Sequence, residues 1–187
     1  MLAYVALPRN QSPAPLILSK THTAAGLAGC YSSLMEGLVV AIQIGAKKGE
    51  PTVSVASVHA VEGKGLEGDR FFKTHGVYTG KLGEGREITL IEEESLEAAR
   101  REHGLELSFA ESRRNVLVRG VRLNDLVGRE FRIGEVLLRG VRLCEPCRHL
   151  AEMTNKAVVR PMTHRGGLNA RILRGGLLKP GGSVEVG

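Results

Sequence analysis

The sequence predicts a mostly β protein, a barrel carrying a few short α-helices. Short runs rich in Val, Leu and Ile recur from Leu38 to the end, about seven or eight of them, with turn residues between. Glycine is abundant at 24 residues, which suits many tight connections between short strands. Only Glu92 to His103 has the length and charge arrangement of a full helix. At 187 residues the chain amounts to about one domain, long enough to bury a substantial core.

Residues 1–34 stand apart. Pro8, Pro13 and Pro15 lie among scattered Ser and Thr with no sustained period, so this stretch is expected to be a poorly structured extension. The domain is expected over 35–187, with Met35 as its natural start, and Cys30 in the extension carries no functional weight.

Leu38–Ile44 is short, apolar and β-branched, a strand closed by Gly45. Val53–Val58 alternates with period 2, the pattern of a half-buried strand. The glycine loop Gly63-Lys-Gly65-Leu-Glu-Gly68-Asp69-Arg70 follows a strand and matches the dinucleotide-binding spacing. That chemistry needs a helix directly after the loop, and the turn residues and β-formers from Phe71 to Gly80 exclude one.

Glu87–Ile91 is the next strand and runs into the helix. Glu92, Glu93 and Glu94 suit its positive end, Arg100, Arg101 and His103 its negative end, and Gly104 its left-handed C-cap. Leu96 and Ala99 are expected to pack on the sheet, a structural role. Arg113, Arg114 and Asn115 open the strand Val116–Arg119 and form either a solvated strand end or an anion-binding corner.

Leu123–Gly128 is a turn or a single helical turn, and Phe131–Gly134 with Val136–Leu143 forms a hairpin. Gly140 interrupts the alternation and puts Arg139 and Arg142 in opposite phase, which predicts a bulge. Strands at Leu168–Leu173 and Val184–Val186 close the chain.

The net charge of +6 suits an anionic partner, and a phosphate ester serves as well as nucleic acid. There is no dense basic tail, no Trp and only 4% aromatic residues, so nucleic-acid binding is not expected. No apolar run reaches membrane-spanning length, and no basic leader precedes an apolar core, so a cytoplasmic protein is expected. Three cysteines, an odd number that includes a C-x-x-C pair, agree with that compartment.

The pair lies in Leu143-Cys144-Glu145-Pro146-Cys147-Arg148-His149-Leu150. Pro146 is expected in the first turn of a helix ending near Thr154-Asn155. Cys147 would then share that turn with Arg148 near the positive end of the helix dipole, and both features favour thiolate over thiol. Four chemistries match the pair. Half of a zinc site would need His149, His164 or His75 to complete it. A redox pair would need a βαβ setting. Buried thiols would be inert. A soft thiolate at Cys147 would be offered to a metal or to a sulfur-transfer partner.

The order Gly65-Leu-Glu-Gly-Asp-Arg70, Arg86-Glu-Ile-Thr-Leu-Ile91, Arg114-Asn115, Leu123-Asn-Asp-Leu-Val-Gly128, Cys144-Glu-Pro-Cys147 and His164-Arg-Gly-Gly167 resembles the MOSC domain. That domain is named for the C-terminal part of molybdenum-cofactor sulfurases. The resemblance runs from about residue 38 to the end and implies a β-barrel in which Cys147 binds molybdenum or carries sulfur. In the amidoxime-reducing relatives the matching cysteine ligates the metal of a pterin cofactor. The resemblance therefore implies a molybdenum cofactor (molybdopterin) held by Cys147 as metal ligand and catalytic residue. Arg70, Arg114, Asn115, Arg165 and Cys144 form the implied cofactor-binding set, and Arg114→Ala is expected to weaken retention more than stability. A redox partner would supply electrons for reducing N-hydroxylated compounds. A non-catalytic carrier would instead take its persulfide from a sulfur-donor protein. The motifs include no pyridoxal-phosphate domain, so sulfur mobilisation from free cysteine is not expected.

Overall fold

The computed structural model describes residues 35–47, 49–72 and 86–187. The expected extension over residues 1–34, with Cys30, and the candidate ligand His75 lie outside the described residues.

Seven strands close a barrel: β1 (Met35–Ile44), β5 (Ile88–Glu92), β6 (Val116–Arg119), β7 (Glu130–Ile133), β8 (Val136–Leu143), β9 (Leu168–Arg174) and β11 (Ser183–Val186). Around the wall the order is β1-β11-β7-β8-β9-β5-β6 and back to β1. Every pairing in this ring is antiparallel except β5 with β6. Parallel neighbours need a long crossover, and residues 93–115 supply it as α1 (Glu93–His103) and α2 (Phe109–Ser112).

The barrel interior holds Val39, Ile42, Leu90, Val116, Val118, Phe131, Leu138, Leu168 and Val184, all buried. Between Val116 and Val118, Leu117 points the other way, into a second cluster with Ile91, Ala99, Leu150 and Met162. Strands β5 and β6 are thus covered on both faces, which explains their unbroken apolar runs. Helix α1 packs Leu96 and Ala99 in that second cluster, as its pattern requires. Gly104 caps it at φ 64°.

The β7–β8 hairpin pairs Ile133 with Val136 across a turn in which Gly134 has φ 56°. The predicted bulge is present, because the β8–β9 register shifts between Gly140 and Arg142. At Gly140 a Cβ would lie 2.1 Å from the carbonyl oxygen of Leu126, in the single turn Leu123–Leu126. Only glycine lets that turn approach the strand so closely.

Two expectations need correction. Val53–Val58 is not one half-buried strand. Val53 and Ser54 form a two-residue strand, β2, with both residues exposed and paired to the end of β1. Val58 instead opens β3 (Val58–Val61), which joins β4 (Gly65–Leu66) and β10 (Gly176–Leu178) in a separate three-stranded sheet. Alternation alone did not reveal that Val53 has no surface to bury against. The glycine loop itself contains β4, followed by a tight turn through Asp69. The short helices α2 and α4 (Val159–Met162) span four residues each, too few for a helical period to show.

The second correction concerns the cysteines. Helix α3 covers Arg148–Thr154, so Pro146 lies outside it and Cys147 is its N-cap, extended at φ −132° and ψ 164°. The chain from Cys144 to Pro146 is tied to neighbouring loops, described below, and is released into helix only past Cys147. Among the described residues no helix is long and apolar enough to cross a membrane.

Candidate functional site

A cavity of about 240 Å³ opens where the start of β6 meets the end of β8. Its wall includes Arg70, Arg86, Arg113 and Arg114, the thiol residues Cys144 and Cys147, and His149. Phe71, Leu150 and Met153 give it an apolar side. Five of the six residues expected from sequence meet here: Arg70, Arg114, Asn115, Cys144 and Cys147. Arg165 does not. It lines a separate open cleft and holds Glu102 at 2.6 Å. That contact is the largest cause drawing the Glu102 carboxyl below its ordinary value.

The polar residues divide into those that build the wall and those left facing the space. Arg114 builds. Its Nε donates to the Gly166 carbonyl at 2.7 Å, Nη1 to Ser112 at 2.9 Å and Nη2 to Cys144 at 2.9 Å. One side chain thereby ties together α2, the Cys144 loop and the Gly166 loop. Asn115 also builds. Its Oδ1 accepts from the Thr89 amide and hydroxyl, while Nδ2 donates to the Gln43 carbonyl and to Asp69. All its hydrogen-bonding atoms are engaged within the protein, so its place in the wall is that of a strut.

Asp69 is buried and accepts from the amides of Gly45 and Phe71, both at 3.0 Å, and from Asn115 at 3.1 Å. This fixes the turn that carries Arg70, whose guanidinium stacks 4.6 Å from the Phe71 ring centre. Buried Gln43 holds the other side, donating to the carbonyls of Phe109 and Arg114. Neither Gln43 nor Asp69 was singled out from sequence. A glutamine inside the apolar run Val-Val-Ala-Ile-Gln-Ile was the available signal, since a buried amide must find partners.

Arg113, next to Arg114, has a different setting. It caps α2 in the left-handed conformation at φ 59°, which turns it away from its neighbour's partners. Its Nη1 donates to the Glu50 carbonyl at 2.8 Å. Burial first, and then the nearby Arg70 guanidinium, pull it below the ordinary arginine value. Among the described residues Arg70, Arg86, Arg113 and Arg114 make no ion pair. Positive charge converges on the cavity, and an anion there would relieve it.

The cysteine loop is held from outside as well. The Cys144 amide donates to the Gly167 carbonyl at 2.7 Å. Glu145 accepts from the His164 amide at 2.9 Å and meets His164 Nδ1 at 2.8 Å. Gly166 and Gly167 explain the spacing of that motif. A Cβ on Gly166 would lie 2.3 Å from the Cys144 carbonyl, and one on Gly167 2.0 Å from the Leu90 carbonyl. Within this frame Cys147 is exposed and Cys144 half-buried, both as free thiols. Among the described residues no three of His, Cys, Asp and Glu converge as a metal-binding group.

The chain resembles solved structures in fold. YuaD from Bacillus subtilis aligns with TM-score 0.70 and 20% identity, over 82% of this chain and 96% of its own. YiiM from Geobacillus stearothermophilus aligns with TM-score 0.59 and 18% identity, over 81% and 75%. YiiM from Escherichia coli gives 0.58 and 19%, over 80% and 69%. No curated protein sequence matches the chain. The family model of the MOSC domain matches residues 77–185, a stretch that contains Arg114, Asn115, Cys144 and Cys147 but not Arg70. With more than half of its length matched and a seven-stranded barrel of that type, the chain belongs to the MOSC domain family.

Proposed function

We propose that this protein binds a molybdenum–pterin cofactor in the arginine-lined cavity, with the Cys147 sulfur as metal ligand, and that it reduces N-hydroxylated compounds. The observation that carries the reading is the meeting of an exposed thiol and an arginine cluster without ion pairs in one cavity. The donor set suits such a group. A thiolate is a soft ligand fit for molybdenum, and guanidinium N–H groups match the oxygens of a phosphate. Phe71, Leu150 and Met153 offer an apolar surface for a flat ring system.

When bound, the metal centre would supply two-electron transfer, the electrons coming from a separate reductase. The overall change is R–NHOH plus two electrons and two protons, giving R–NH2 and water. Arg70, Arg86 and Arg113 would bind the anionic end of the cofactor. Arg114, Asn115 and Asp69 would keep the wall in place, and the Glu145–His164 contact would hold the loop that presents Cys147. His149 lies in the same wall, where its ring can hold or hand over a proton.

A second reading, a persulfide carrier, is favoured by the exposure of Cys147, which leaves its sulfur open to another protein. Protein made in a host that synthesises the cofactor separates the two. Near-stoichiometric molybdenum and pterin, lost in Cys147→Ser, supports the cofactor reading. A mass increase of one sulfur atom on Cys147 without metal supports the carrier. Protein that acquires neither in that host sinks both.

A further inference from the structure

The outer wall of the barrel on β8 and β9 is an arginine face. Arg139 stands directly opposite Arg171 in the strand register, with Arg174 one row further on and Arg142 toward the other end. All four side chains are exposed. Like charges placed directly opposite on neighbouring strands repel, so this arrangement costs the isolated protein stability. Several exposed arginines elsewhere are neutralised: Arg100, Arg101, Arg122 and Arg148 lie within 3.5 Å of a carboxylate, whereas Arg86 and Arg160 stand singly among the described residues. Among the described residues, only Arg171 on this face lies within 4 Å of a carboxylate, Glu87 at 3.9 Å, and that carboxylate already accepts the Ile172 amide at 2.7 Å.

We infer that the β8–β9 wall is a docking surface for an acidic protein. Carboxylates at strand-like spacing would pair with the arginines and remove their mutual repulsion. The edge of the face favours a protein over nucleic acid. Glu130 lies opposite Arg139 on β7, and Glu185 lies opposite Arg132. A continuous phosphate backbone would meet both acids, whereas a protein surface can place cations against them. Among the described residues no aromatic side chain on the face offers a base a stacking platform.

The location gives the docking a purpose. Arg142 pairs with Asn169, which lines the cavity, and Cys144 follows two residues later on the same strand end. A protein seated on the arginines would stand beside Cys147, where an electron or sulfur donor is needed. That purpose rests on the function proposed above, while the docking itself does not.

The test uses the full chain and fluorescent poly-L-glutamate, read by anisotropy at low salt. Arg139→Glu combined with Arg174→Glu should weaken binding about tenfold or more, and the equal charge change Arg100→Glu with Arg101→Glu on α1 should leave it within about threefold. The milder Arg139→Gln with Arg174→Gln gives the same comparison if the reversal impairs folding. Equal loss in the β-face and α1 variants would reduce the effect to net charge and overturn the inference. So would unchanged binding, or a DNA duplex that binds the same face more tightly than polyglutamate. Molybdenum loading and Cys147 labelling should be normal in the β-face variants, so a failure of the cofactor reading is seen separately.

Discussion

Arg114→Ala tests whether the cavity is built or bound by this arginine. The substitution removes three charged donors from the carbonyls of Gly166, Ser112 and Cys144, at 2.7, 2.9 and 2.9 Å. Hydrogen bonds from a charged group contribute about 1.5–3 kcal/mol each, but this half-buried side chain lets water replace part of that. Roughly 1 kcal/mol per bond survives, which puts the loss near 3 kcal/mol in all. For a domain of this size that is a fall in Tm of about 6–12 °C. Arg114→Lys should recover little, because a single ammonium cannot serve three divergent carbonyls. Thermal melts of apo-protein read the effect without cofactor. The sequence alone suggested the opposite balance, with retention lost before stability. An Arg114→Ala protein that melts within about 2 °C of the parent would refute the clamp and return Arg114 to the ligand-binding set.

Three further outcomes follow from the same frame. A limited dose of iodoacetamide should label exposed Cys147 before half-buried Cys144; the reverse order, read by peptide mass spectrometry, would move the site to Cys144. Gly167→Ala puts a Cβ 2.0 Å from the Leu90 carbonyl at φ 101°, so it should cost about 3 kcal/mol or more, and a melt close to the parent's would contradict the close approach. The Glu111 carboxyl is held below the ordinary glutamate value, chiefly by Lys156 and then by the Ser108 amide. A depressed carboxyl stabilises above its unfolded value and loses that contribution as pH falls. The Tm deficit of Glu111→Gln should therefore be full at neutral pH and shrink below about pH 4.5, and a deficit independent of pH would exclude this linkage.

The barrel was legible because its strands are long enough to show what they bury. Val136–Leu143 alternates, its break at Gly140 marks a true bulge, and β5 and β6 read as apolar runs because both faces are covered. The small sheet was not legible. Strands β4 and β10 are two and three residues long, and what makes them strands is β3 lying between them. No local pattern contains that partner. The same limit misplaced the start of α3. Proline fits a first helical turn, but the turn is denied by tethers on Cys144 and Glu145 that come from residues 114, 164 and 167.

The site shows how far residue type goes and where position takes over. Arginines beside a C-x-x-C pair pointed to an anion and a soft thiol, and the cavity brings those types together. Type could not assign the work between Arg113 and Arg114. The backbone decides it: φ 59° at Arg113 sends one guanidinium toward Glu50 and the cavity, while the next residue, two positions before β6, turns its guanidinium inward to three carbonyls. Asn115 follows the same logic, since it spends its amide on Asp69 and Thr89 and shapes the turn carrying Arg70. The motif residues Arg114, Asn115, Gly166 and Gly167 are thus explained by what the wall requires, independent of any ligand. On the cofactor reading proposed above, a bound anion would be left to Arg70, Arg86 and Arg113. Pterin retention should accordingly fall in Arg113→Gln while its melt stays near the parent's, the inverse of Arg114→Ala, and the same balance of losses in both variants would erase the distinction between strut and ligand.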